Sequence, residues 1–177
     1  MLKKLFLAAL IALSFAIAQT IAQDSASEDA KTRPNKQEIV NLMVKVTPQQ
    51  ISKIDAILAD PSGSRTPRSD FLLCTGLAYL GYQNAQLCLG SAYENGRGIV
   101  EDPSEAYVWY AIAAESHSKA GKQAEAERDR LKTKLQSVYP SPSDDELDDQ
   151  VRTQKLRIQQ YREEASKARK GRLLISE

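Results

Sequence analysis

Few residues in this chain could do covalent or metal chemistry. The 177 residues include two cysteines, Cys74 and Cys88, and one histidine, His117. The cysteines fall in stretches that read as consecutive antiparallel helices joined by a short turn. Two readings are open. In an exported protein the pair would oxidise to a disulfide, and closing a loop of that length is worth roughly 3 kcal/mol in the chain-entropy model. Otherwise they are two small thiols packed in a helix interface. Cys74, Cys88 and His117 match no metal-ligand spacing, so no metal is expected. Ser116-His117-Ser118-Lys119 contains S-x-x-K, the nucleophile motif of penicillin-recognising enzymes. The partner motifs S-D-N and K-T-G do not occur in the sequence. A penicillin-interacting hydrolase is therefore a remote alternative, and the expectation is that the chain is not an enzyme. Gly96-Arg97-Gly98 lies between helices and lacks the strand context of a phosphate-binding loop. No catalytic residue and no cofactor is expected.

Charge narrows the partners. Lys+Arg total 24 against Asp+Glu 23, a net charge of +1, so no global field selects nucleic acid or an anionic membrane. The basic residues of Arg162–Arg172 alternate with Glu163 and Glu164 and read as a solvated helix face. Abundant Ala, Leu, Glu, Lys, Gln and Arg favour helix.

The elements that must position any site divide the chain into five parts. Lys3 and Lys4 precede an apolar run from Leu5 to Ala18; Ala16-Ile17-Ala18, before Gln19, offers an A-x-A cleavage site, and Ala22, before Gln23, is a second candidate. This is the three-part anatomy of a secretory signal peptide, 1–22. The run is short for a bilayer span, which needs about 20 residues. A periplasmic or secreted location follows, with no stable membrane span after cleavage. Residues 23–36 are polar and read as a flexible leader. Residues 37–69 hold two amphipathic helices. The first carries Ile39, Leu42, Met43 and Val46 on one face. The second starts at Thr47-Pro48-Gln49-Gln50 and carries Ile51, Ile54, Ile57 and Leu58. The Pro/Gly/Ser-rich stretch Pro61–Ser69 is a loop.

Residues 70–140 hold four more helices: Asp70 to about Leu80, Ala85 to about Asn95, one starting at Asp102-Pro103-Ser104-Glu105, and Ala120 to about Val138. In the third of these Asp102 caps, Pro103 fills the first turn and Glu105 reaches back. Pro140 and Pro142 end the last. Residues 141–177 form a charged helix starting at Ser143 or Asp144. Its Leu147, Val151, Gln154, Ile158, Tyr161, Ala165 and Ala168 make a heptad-like seam. The seam suits either a capping helix packed on the preceding ones or self-association as a coiled coil. No stretch alternates with period two, so the fold class is all-α, built from antiparallel helix pairs.

The stretch Ala85–Ala114 reads AQLCLGSAYENGRGIVEDPSEAYVWYAIAA. Gly90 and Ala106 are small where two helices approach closely. Leu89, Tyr93, Trp109 and Tyr110 fill the space between them. Gly96 and Gly98 permit backbone angles that other residues resist. Ala85, Leu89, Gly90, Tyr93, Gly96, Gly98, Ile99, Asp102, Ala106, Trp109, Tyr110, Ala113 and Ala114 together resemble the Sel-one-like repeat, a relative of the tetratricopeptide repeat. The resemblance covers about 30 residues of a clear repeat at about 85–120, with degenerate flanks. It implies a short α-solenoid with a long C-terminal helix. It further implies a non-catalytic adaptor or scaffold that binds a protein or peptide partner through stacked helix pairs. An alternative from the same family is a structural component of an envelope assembly such as a flagellar motor ring. Tyr82, Glu94, Arg97 and Tyr107 are candidates for an exposed ligand face.

Overall fold

The computed structural model describes residues 32–60, 67–138 and 140–173. The signal peptide, most of the leader, residues 61–66 of the expected loop and Tyr139 lie outside the described residues. Every element described is a helix: α1 (Lys36–Lys45), α2 (Pro48–Ala59), α3 (Pro67–Leu80), α4 (Gln83–Glu94), α5 (Pro103–Ala114), α6 (Lys119–Gln136) and α7 (Asp144–Leu173). All belong to one unit, Arg33–Glu177.

Local sequence sets most of the starts. Asn35 and Glu38 form a reciprocal capping box at α1, with the Glu38 N–H donating to Asn35 Oδ1 at 3.1 Å. At α2 the Thr47 N–H donates to Gln50 Oε1 at 2.9 Å. Ser118 accepts from the Gly121 N–H at 3.0 Å and starts α6. Ser143 and Glu146 exchange bonds at the start of α7. Proline at the first position begins α3 at Pro67, three residues before the sequence-based start at Asp70. The leader also ends earlier than expected. Arg33 is ion-paired with Asp102 and Glu105 and lies 5.4 Å from the Tyr93 ring centroid.

Helices α3, α4 and α5 are buried on nearly every face, as expected for helices apolar all round. Phe71, Cys74 and Leu77 of α3, Ala85 and Leu89 of α4, and Ala106 and Trp109 of α5 form the centre of the core. Around them, α3 packs on α4, α4 on α5 and α5 on α6; α1 packs on α3, and α2 on α3 and α4. Helix α7 returns across α1, α3 and α5. Leu147, Gln154, Ile158 and Ala165 of its seam are buried and Val151 and Tyr161 half-buried, whereas Ala168 is exposed. The seam is thus spent within the chain, as in the capping reading.

The polar interruption of that seam has a partner. Gln154, only 3% exposed, donates from Nε2 to the Tyr79 hydroxyl at 2.9 Å and accepts from Arg157 at 2.7 Å. Tyr79 also stacks on Tyr161 at 5.4 Å and meets Trp109 edge-on at 5.2 Å. Among the described residues, no helix is long and apolar enough to cross a membrane.

Candidate functional site: a polar cleft under the C-terminal helix

The α4–α5 pair holds the residues of the repeat-like stretch. Gly90 faces the Tyr110 ring: a Cβ there would stand 2.7 Å from two ring carbons. The Tyr110 hydroxyl donates to Glu94 at 3.0 Å, and Arg130 of α6 bridges Glu94 and Glu127. Phe71 meets Tyr93 edge-on at 5.6 Å. Gly96 and Gly98 take φ of +62° and +73°, and Gly98 passes so close to Pro67 that a Cβ would stand 2.3 Å from its carbonyl oxygen. Asp102 caps α5, accepting from the Glu105 N–H at 2.9 Å. The Glu105 carboxylate does not reach back as expected, because Arg33 binds it at 2.8 Å. Ala85, Leu89, Ile99, Ala106, Trp109 and Ala113 are buried, and Ala114 is half-buried.

Cys74 of α3 and Cys88 of α4 are joined, with Cα atoms 6.0 Å apart. Ser116 and Ser118 share a 2.7 Å hydrogen bond in the turn that starts α6, and His117 is exposed. The S-x-x-K serine is thus engaged in shaping a helix start. No group of His, Cys, Asp or Glu among the described residues could hold a metal.

Of the four candidates for a ligand face, Tyr107 is overturned: it is 4% exposed. Glu94 is committed to Tyr110 and Arg130, and Arg97 donates to Ser91 Oγ at 2.8 Å. Tyr82 alone is largely exposed, at 41%.

Three cations of α7 recur every seven residues, and each engages the C-terminal end of a different helix. Lys155 pairs with Glu115 at the end of α5. Arg162 donates from Nε to the Tyr79 carbonyl at 2.7 Å, in the last turn of α3. Arg169 donates to the Met43 carbonyl, in the last turn of α1. A heptad advances about 10 Å along a helix, close to the 8–10 Å distance between packed helices. Terminal carbonyls carry partial negative charge, so a cation at each end is favourable. Gly81, at φ +96°, makes room for the second contact, since a Cβ there would stand 2.3 Å from Arg162 Nη2.

This strap roofs a cleft of about 490 Å³ between the α3–α4 turn, the end of α5 and α7. Ile112 and Ile158 supply its apolar lining, and Gln83, Gln86 and Gln159 its amides. Arg162 is exposed, but partial desolvation against the helix ends lowers its pKa, and among the described residues no acidic neighbour offsets it. An adjoining cleft of about 380 Å³ shares Gly81 and is lined by Val46, Ile51, Leu80, Tyr82 and Arg169. The sequence reading missed both clefts because their lining combines residues far apart along the chain, with Lys155, Ile158, Gln159 and Arg162 of α7 on the first and Arg169 on the second. The only sequence signal was the seven-residue recurrence of basic residues beside the seam. No protein-family model, curated protein or solved structure matches the chain.

Proposed function

We propose that the chain is an exported, non-catalytic binding module that holds a protein or peptide partner. In this reading α3–α6 are helix-pair repeats of the Sel-one-like kind, a short α-solenoid closed on one side by α7. The α4–α5 pair is the observation that carries it. The Gly90–Tyr110 approach, the Asp102 cap and the Gly96-Arg97-Gly98 turn occur at the positions by which the sequence resembles that repeat. Helices fixed in this way present a pre-organised surface, which lowers the ordering cost of binding. Export is read from residues 1–22, and a joined Cys74–Cys88 pair suits an oxidising compartment.

The test is crosslinking in intact cells followed by capture of the full chain from the envelope fraction. A discrete adduct absent from an unrelated exported control is the expected result. Adducts identical to the control's would overturn the reading. Turnover of a chromogenic cephalosporin, or covalent labelling by penicillin, would overturn the absence of catalysis. Assembly into an envelope structure through α7 has less support, because Leu147, Ile158 and Ala165 are already buried inside the chain.

A further inference from the structure

Two groups at the cleft are left with hydrogen-bonding capacity to spare. Arg162 spends its Nε on the Tyr79 carbonyl, but neither Nη has an acceptor among the described residues, and no carboxylate is ion-paired with it. Gln86 is 6% exposed and lines the same cleft. Its Nε2 makes one long bond to the Ala78 carbonyl at 3.4 Å, and its Oε1 has no donor among the described residues. Among the described residues the buried side-chain atom without a partner is Arg97 Nε, so the Gln86 oxygen is open to the cleft rather than sealed in the core. Between these groups the lining is apolar, from Ile112 and Ile158, both buried.

We infer that this cleft binds an extended peptide segment that presents a carboxylate to Arg162. The inference rests on the binding-module reading above and gives it a place and a ligand chemistry. The fork of Arg162 Nη groups matches the two oxygens of a carboxylate. Gln86 Oε1 accepts from a peptide N–H, and an apolar side chain next to the carboxylate covers Ile112 and Ile158. Lys155 is already paired with Glu115, so the cleft offers a single uncommitted cation, which suits a monoanion better than a phosphate dianion. The carboxylate could be a chain terminus or an acidic side chain. Because α7 supplies Arg162 and Ile158, an occupied cleft also fastens α7 to the rest of the chain.

The test titrates isotope-labelled full chain with three probes: N-acetyl-Ala-Ala-Leu as the free acid, the same peptide as its amide, and N-acetyl-Ala-Glu-Leu amide. Saturable NMR shifts at the Gln86 side-chain amide and the Gly81 and Ile158 backbone amides are expected with at least one acid. Whichever acid binds identifies the source of the carboxylate. The neutral amide should bind about tenfold more weakly, as for loss of one charge-assisted hydrogen bond. Arg162→Lys, which keeps the charge but loses the fork, should weaken binding about fivefold. Gln86→Met should weaken it without displacing α7, and Arg152→Gln, on an exposed part of α7, should bind as the unchanged chain does. Equal binding of acid and amide, unaltered affinity in Arg162→Lys, or no shifts at millimolar peptide would overturn the inference. Partner capture that persists undiminished in Arg162→Lys overturns the cleft alone. Absence of any specific capture by the unchanged chain overturns the binding-module reading and the cleft together.

Discussion

At the scale of residues, Gly90 gives the sharpest case. The sequence placed a small residue where two helices meet, and the Tyr110 ring lies where its side chain would be. Gly90→Leu must push that ring away and strain its hydroxyl's bond to Glu94. Overpacking of this kind costs about 1–3 kcal/mol, so the urea midpoint should fall. An unchanged midpoint would contradict the close approach. The cysteines give a second test: thiol titration of the denatured, unreduced protein should find no free thiol, and two free thiols would contradict the bond. Tyr79, Tyr93 and Tyr110 supply a third. Burial raises all three phenol pKa values, with Glu94 adding to the rise at Tyr110. A raised folded-state pKa favours the neutral phenol. The associated stability is intact below the unfolded value of about 10 and is lost as pH rises through the folded values. The melting temperature should therefore drop above about pH 10, and a flat profile through that range would contradict the burial. What the residues did not reveal was rivalry for one side chain. Glu105 reads as a capping-box residue, but Arg33 lies 72 positions away in sequence and takes the carboxylate. Tyr107 reads as exposed because helix periodicity identifies one buried face, whereas α5 is buried on nearly all of them.

At the scale of elements, caps and breakers were legible because they act within a few residues. Thr47, Asp102 and Ser143 stand at helix starts as read, whereas Asn35, assigned to the leader, and Ser118, two residues before the expected start at Ala120, cap helices without having been read as caps. The role of α7 was only half legible. Its seam was plain, but a seam of small and medium apolar residues serves an intramolecular or an intermolecular partner equally well. The choice was made by non-local contacts: Gln154 on the Tyr79 hydroxyl, Arg162 on the Tyr79 carbonyl and Arg169 on the Met43 carbonyl. Ile158→Asp places a charge in the middle of that contact, where ionised groups are costly. Trypsin should then cut α7 at Arg152, Arg157 and Lys167 while α3–α6 stay resistant. Equal resistance of α7 in the variant and the unchanged chain would contradict the docked seam.

At the scale of the whole molecule, the composition excluded more than it assigned. Near-neutral charge and a thin stock of reactive side chains suit the proposed binding module, but they said nothing of a cleft. The cleft depends on α7 crossing three other helices, a tertiary fact invisible to local periodicity. The most direct measurement is hydrogen exchange of the full chain in dilute solution. Backbone amides from Gln154 to Ala165 should be protected to a degree comparable with α3 and α5, independent of protein concentration. Rapid exchange along α7 beside protected α3–α6, or protection that appears only as concentration rises, would contradict the strap and remove the roof of the cleft.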